Sequence, residues 1–378
     1  MNVAELASVV RPGDGIICGQ ACAEPQTLLE ALVAQRARLA DARLFLGASY
    51  TGIVKPEHAD HLRLSSYGAI GRNRALADAG VLQILPVPYS RLGALIRSKT
   101  IACDVVMLQV SPPNARGEYS MGLAADYLIP ALETARALVA EVNDQVPWTH
   151  GEKILRREDF SLLVESSRPP ASLPAPKRTG LEEAIGRHAA AWVPDGATLE
   201  FGIGALPDAV CAFLKQRKDL VVHSGTIGDG VPELSPKRVE CAMLIGTRRV
   251  FEFARENPVV RLRSSEYTHD AGVLSAIERF VAINSAVEVD LTGQVNSEVA
   301  NGSYVGAVGG APDFTRAASR SPGGVSIVVV PSSRIVEKLS GPVTVGRSDA
   351  GIVVTQKGAA DLRGCTLRER ERRLTAVA

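Results

Sequence analysis

Continuous apolar stretches set the first expectations for this chain. Val105-Val106-Met107-Leu108, Leu138-Val139-Ala140 and Ser326-Ile327-Val328-Val329-Val330 have the look of strands buried on both faces, the kind found in parallel sheets. Thr27-Leu28-Leu29-Glu30-Ala31-Leu32 and Ala209-Val210-Cys211-Ala212-Phe213-Leu214 read as helices. From Asn284 through Val295 polar and apolar positions alternate, which predicts a strand with one wet face carrying Glu288 and Asp290.

These patterns repeat at about half the chain length, a signal to be tested before any other. Pro12-Gly13-Asp14-Gly15 opens a short apolar run that leads through Gly19 and Glu24-Pro25 into the first helix; Pro194-Asp195-Gly196 opens Thr198 to Phe201, then Gly202-Ile203-Gly204-Ala205-Leu206-Pro207 and the second helix. Pro12 and Pro194 are 182 residues apart, as are Pro25 and Pro207. Asp41 to Gly47 with Thr51-Gly52 matches Asp219 to Gly225 with Asp229-Gly230 at a spacing of 178. Each half therefore reads as turn, strand, Gly-rich loop and helix, with proline near the helix start, where its missing N–H matters least.

Between the halves, residues 166–178 are rich in proline and serine, which excludes helix interior and central strand. The expected organisation is an α/β protein of two similar open domains, 1–165 and 179–378. A pseudo-twofold relation would gather the strand ends of both domains around one cleft lined by the Gly-rich loops, since open α/β sheets bind ligands at such crevices.

Composition narrows the classes of function. The 378 residues are 46% hydrophobic and 22% charged, with 42 Lys plus Arg against 41 Asp plus Glu, a formal net charge of +1. No field of one sign is present to hold a polyanion, so nucleic acid is not expected as a partner. The start, Met1 to Leu6, lacks a basic and an apolar region, and no run of about 18 apolar residues occurs. A cytoplasmic protein without membrane association is expected. The six cysteines are scattered in apolar contexts and read as buried free thiols; Cys18 and Cys22 form no metal set with a second pair or a histidine.

The chemistry-bearing loops leave alternatives open. Gly202-x-Gly204 before a helix suits close approach to a phosphate, or is simply a tight strand-to-helix turn; the third glycine of a dinucleotide fingerprint is absent. The cluster from Gly302 to Phe314 has the composition of an oxyanion or phosphate cradle, or of a hairpin loop. Residues 110–122 and 141–151 crowd polar groups at two strand ends, and no Ser-His-Asp order can be assigned.

In these stretches the sequence resembles the acetyl-CoA hydrolase/transferase family, within the class I CoA-transferases, over nearly its whole length. The likeness is carried by Gln109-Val110-Ser111-Pro112-Pro113, Val142-Asn143 with Thr149-His150-Gly151, Gly202-Ile203-Gly204, Ile283-Asn284-Ser285-Ala286 through Asp290 to Val295, Gly309-Gly310 with Asp313-Phe314, and Val354-Thr355 with Asp361-Leu362-Arg363-Gly364. The resemblance implies two related α/β domains, an active cleft between them, acyl-CoA as substrate, no metal, and a homo-oligomer. In such transferases a glutamate just after a His-Ser/Thr pair attacks the thioester and carries CoA to a second carboxylic acid. Here the pair is His223-Ser224 and the next residue is Gly225.

That departure leaves three readings. The first is an acyl-CoA enzyme in which water or another small acceptor attacks directly. The second is a CoA-transferase that uses another carboxylate, such as Glu118, Glu266 or Glu288; the third is a CoA-binding homologue or partner subunit without catalysis. The first reading puts Gly202, Gly204, Gly309 and Gly310 at the backbone contacts to CoA or the oxyanion, and Asn284, Gln294 and Asp313 at the acyl end. His223 is then the nearest general base, followed by Asp229 and Glu118; each can also be structural.

Overall fold

The structure, a computed structural model, describes residues 5–173, 179–202 and 204–378. They form two compact units: one gathers the described residues of Met1–Val87, Arg91–Leu173 and Ala242–Glu266, the other those of Pro88–Ser90, Pro174–Cys241 and Tyr267–Ala378. Each unit thus takes chain from both halves of the sequence.

The first unit is built on β1 (Gly15–Cys18), β2 (Ala42–Leu46), β3 (Leu62–Ser66), β4 (Leu82–Ile84), β5 (Val105–Val110), β6 (Ala137–Asn143) and β7 (Leu162–Ser166). They lie in the order β7-β6-β5-β1-β2-β3-β4 and all pair in parallel. All six residues of β5 are buried, as its unbroken apolar run requires of a strand covered on both faces. Helix α1 (Gln26–Gln35) buries Leu28, Leu29 and Leu32 in the core formed with Ile16, Leu44 and Val105. The segment Ala242–Glu266 joins this unit through Val260–Leu262, which pairs in parallel with His150–Gly151, and through the Leu173 amide, which donates to Gly246 O at 2.9 Å.

The second unit contains β8 (Thr198–Phe201), β9 (Val221–Ile227), β10 (Phe280–Ser285), β11 (Val325–Val329), β12 (Ile352–Thr355) and β13 (Gly358–Asp361). Their order is β9-β8-β10-β11-β12-β13, parallel except for β13. Helix α2 (Ala205–Phe213) follows β8, and α3 (Ala311–Arg320) packs Phe314, Ala317 and Ala318 against Phe280 and Ala282.

The repeat reaches down to backbone conformation. Gly13 and Gly196, before β1 and β8, have φ of 79° and 68°; Asp41 and Asp219, before β2 and β9, have φ of 62° and 58°. Left-handed backbone is open to glycine and tolerated by aspartate, which explains why those residue types recur. In both sheets the strand order reverses beside the first strand, at β1/β5 and at β8/β10. The carboxyl ends of such strands are where α/β sheets make room for ligands.

Three expectations change. The alternating stretch 284–295 is not one strand with a wet face: it ends β10, forms Glu288–Asp290 and turns into Val295–Asn296, with Glu288 and Asp290 buried. Their alternation serves internal hydrogen bonds: Glu288 accepts from Ser340, Gly341 and Asn296, and Asp290 from Thr292 and Gln294. The cluster from Gly302 to Gly310 is not a row of amides aimed at one point. It contains a hairpin, Val299–Ala300 with Ser303–Tyr304, after which the Val305 and Gly306 amides donate to Glu298 O. Of the Pro-rich stretch, Ser166 ends β7, and residues 174–178 lie outside the described residues. Five of the six cysteines are buried free thiols and Cys365 is half-buried.

Candidate active site

At the strand reversal of the second unit, β8 carries Glu200, 2% exposed, and β10 carries Asn284, whose Nδ2 donates to Glu200 Oε2 at 2.7 Å. Burial pushes the Glu200 carboxyl up to about 8, against which this hydrogen bond and one from the Ile283 backbone pull weakly. The group is therefore a neutral acid at pH 7, able to donate a hydrogen bond. Gly202 follows β8 and donates its amide to Ile283 O at 2.9 Å; a Cβ there would lie 3.0 Å from Asn284 Oδ1. Gly204, at φ 127°, caps α2 in a conformation open only to glycine. Gly202, Glu200 and Asn284 thus form one polar cluster, and Gly204 begins the helix beside it.

A second cluster surrounds the far end of β9. Gly225 is a buried strand residue, and a Cβ on it would meet His269 Nε2 at 2.9 Å and Cε1 at 3.0 Å. A Cβ on Gly310, which caps α3, would meet the same Nε2 at 2.7 Å. The imidazole lies between the rings of Tyr89 and Phe314, with centroids 4.8 and 4.5 Å away. Its Nδ1 hydrogen-bonds with Thr268 Oγ1 at 2.9 Å. Burial pushes the His269 imidazolium down to about 3, helped by nearby His223, so the ring is neutral at physiological pH. His223 donates Nε2–H to Thr268 O at 3.1 Å, and Ser224 Oγ bridges to the Phe201 backbone.

The segment Pro88–Ser90 is fastened here as well. Tyr89 donates its amide to Gly309 O, and Ser90 donates its amide and hydroxyl to Asp313 at 3.1 and 2.7 Å. Burial lifts Asp313 to about 6 in spite of those donors.

Of the residues singled out in the sequence, His223, Gly225, Gly309, Gly310 and Asp313 share this second cluster, while Gly202 and Asn284 share the first. Asp229 sits in the turn after β9, half-buried. Gln294 braces a turn, donating Nε2–H to Asp290 at 2.7 Å. Glu118 belongs to the first unit, where Asn114 donates to it and Arg116 and Arg156 pair with it; those partners hold it below the usual carboxylate range. Glu266 is also in the first unit and pairs with Arg97. Glu200 and His269 were not singled out. Glu200 had a signal, an acid inside the buried run Thr198 to Phe201; His269 had none, because its neighbours come from positions 89, 225, 310 and 314. Among the described residues no group of three or more His, Cys, Asp or Glu stands together as metal ligands would, and no helix is long and apolar enough to cross a membrane.

Solved structures define the class to which this fold belongs. The chain superposes over its whole length on RipA from Yersinia pestis (TM-score 0.95, 29% identity, 93% of that chain). It does so as well on a 4-hydroxybutyrate CoA-transferase from Porphyromonas gingivalis (TM-score 0.83, 31% identity, 93% of that chain). The two-unit architecture is therefore that of the CoA-transferases. In sequence, residues 1–166 match the acetyl-CoA hydrolase/transferase N-terminal domain and residues 246–378 the C-terminal domain of the same name. The 4-hydroxybutyrate coenzyme A transferase of Clostridium kluyveri is 35% identical over 393 residues, 96% of this chain and 90% of that protein. The chain belongs to the acetyl-CoA hydrolase/transferase family.

Proposed function

We propose that this protein binds an acyl-CoA and passes the acyl group directly to water or another small acceptor, without a glutamyl-CoA intermediate. The observation that carries the reading is Gly225: it follows His223-Ser224, where the family resemblance expects the glutamate, and the space beyond its Cα is taken by His269. A residue with no side chain cannot become acylated, so the double-displacement route has no anchor there. Gly204 and Gly309, with open space where a Cβ would stand, provide bare backbone for CoA or the developing oxyanion, whereas the Gly202 amide already donates to Ile283 O and His269 fills the space at Gly310. Asn284 and Asp313 lie beside those glycines as positioning groups, and His223 fixes the Thr268 backbone next to His269.

Incubation with a panel of acyl-CoAs, with and without carboxylate acceptors, followed by thiol release and protein mass, tests this reading. Free CoA without a protein adduct is expected. A CoA adduct on the wild-type chain would instead favour exchange through another carboxylate, and the buried, weakly tied Glu200 is the observation that makes this the second reading. CoA binding with no turnover of any substrate would leave a non-catalytic CoA-binding homologue. Gly225→Glu alone is not expected to install exchange, because its Cβ collides with a ring held between two others; Gly225→Glu with His269→Gly makes the room.

A further inference from the structure

We infer that the first unit carries a further binding site, on the bare face of β2, β3 and β4, for a small organic anion: a carboxylate or phosphate headgroup on an apolar body. The inference does not depend on the reaction proposed above, and every residue of the site belongs to that unit.

Parallel sheets are ordinarily covered on both faces, and the sheet of this unit departs from that rule at one end. Leu44, Leu64 and Leu82 turn to the core with α1, so Arg43, Phe45, Arg63, Ser65 and Gln83, in alternate positions of the same strands, point the other way. On that second face the helix Leu128–Thr134 packs over β1 and β5, and Tyr127, just before it, meets the Phe45 ring edge-on at 5.7 Å. Away from Tyr127 the cover stops: Arg43, Arg63 and Gln83 are exposed and Ser65 is half-buried. The space left is a cavity of about 520 Å³, bounded also by Leu85 and Thr100 to Ala102. Small-molecule sites span roughly 300–1,000 Å³.

The lining fits an anion with an apolar tail. Phe45, Leu85 and Ile101 supply apolar surface, and the charged groups that line the cavity are two arginines and no acid. Arg43 and Arg63 stand directly opposite each other in register, where like charges on neighbouring strands repel. An anion bound between them turns that repulsion into attraction. Their own acids leave both forks partly free. Arg63 gives Nε and Nη2 to Asp41, while Arg43 gives Nη2 to Gly13 O and lies 3.9 Å from Asp104. Nη1 of each guanidinium makes no hydrogen bond among the described residues. Such forks match the oxygens of carboxylate and phosphate, and Ser65 and Gln83 add neutral donors beside them.

The test follows the Ile84 and Ile101 methyl signals by NMR while the protein is titrated with hexanoate, hexyl phosphate, acetate, inorganic phosphate and hexanol. Both side chains line the cavity, so these signals report binding there and not elsewhere. Hexanoate or hexyl phosphate should saturate the shifts, and the tighter of the two names the headgroup. Acetate and inorganic phosphate leave the apolar surface empty and hexanol lacks the charge, so each should bind at least about tenfold more weakly. Arg63→Gln should weaken the organic anion about tenfold, and Arg43→Gln with Arg63→Gln about a hundredfold. Ser65→Trp, which fills the cavity and keeps both charges, should abolish binding; circular dichroism confirms that each variant is folded. The site is overturned if no organic anion moves the two methyls, if hexanol binds as tightly as hexanoate, or if the folded double variant binds as tightly as the wild type. It is also overturned if sedimentation shows a wild-type dimer that the double variant dissolves, since a second copy is then what covers this face.

Discussion

Gly47, just after β2, and Gly225, within β9, occupy the same place in the repeat, and each faces a polar side chain that fills the space a Cβ would need. At Gly47 the intruders are Gln20 Oε1 and Tyr127 Oη. All of their polar groups are engaged: Gln20 accepts from the Ala48 amide and the Tyr67 hydroxyl and donates to Asp126, and Tyr127 donates to Cys18 O. At Gly225 the intruder is His269, whose Nδ1 hydrogen-bonds with Thr268 Oγ1. Two buried carboxyls, one in each unit, differ as well. Glu24 accepts from Ser49 Oγ, from the Tyr50 and Thr51 amides and from Thr51 Oγ1, whereas Glu200 has one side-chain donor, Asn284. One scaffold thus occurs twice, with different side chains filling the space beside its glycine.

The comparison can be broken most strongly at Glu200. Its pKa is raised, so between the ordinary 4.5 and about 8 the folded state holds a proton that the unfolded chain has released. Stability should therefore fall as pH rises through that window, by roughly 1.4 kcal/mol per pH unit and about 4 kcal/mol across it. Glu200→Gln should remove this slope; urea titrations of both proteins across the window decide, and parallel curves would mean that Glu200 is ionised when folded. Next comes Gly47→Ala, whose Cβ collides with two hydrogen-bonded groups that cannot yield, for a loss of about 3 kcal/mol. Gly225→Ala, against a single ring edge, should lose about 1 kcal/mol by the same measurement. Equal losses would erase the contrast between the two ends.

Glu24→Gln replaces an acceptor of four hydrogen bonds by a group with half its accepting capacity, and should lower stability by about 2 kcal/mol without altering kcat. A fall in kcat with the fold intact would put the first unit's carboxyl into the chemistry. The smallest effect belongs to Ser90→Ala, about 1 kcal/mol. It removes a hydroxyl that holds the Asp313 charge, so that carboxyl should titrate above its present value of about 6, as NMR can follow.

What could be read in the sequence was local or periodic. The runs ending in β5, β6 and β11 were legible because an unbroken apolar stretch has few ways to be buried, and the repeat because turn residues recur at fixed spacing. Glu288 and Asp290 were misread as facing water, since alternation does not distinguish solvent from a hydrogen-bonded turn; only Ser340 and Asn296, brought in from elsewhere, make the difference. His269 was invisible for the same reason. Nothing in Tyr267-Thr268-His269-Asp270 announces a site, and the significance of the ring comes from glycines at 225 and 310 and an aromatic pair at 89 and 314.

The interleaving of Ala242–Glu266 with the first unit bears on how the protein is made. The strand pair His150–Gly151 with Val260–Leu262 cannot form until residue 262 has left the ribosome, long after the rest of that unit has emerged. A nascent chain therefore carries an unfinished first unit with an unpaired strand edge while most of the second is still untranslated, and such edges invite pairing with other chains. Because the first unit includes Ala242–Glu266, cutting the gene after residue 173 would leave that unit incomplete.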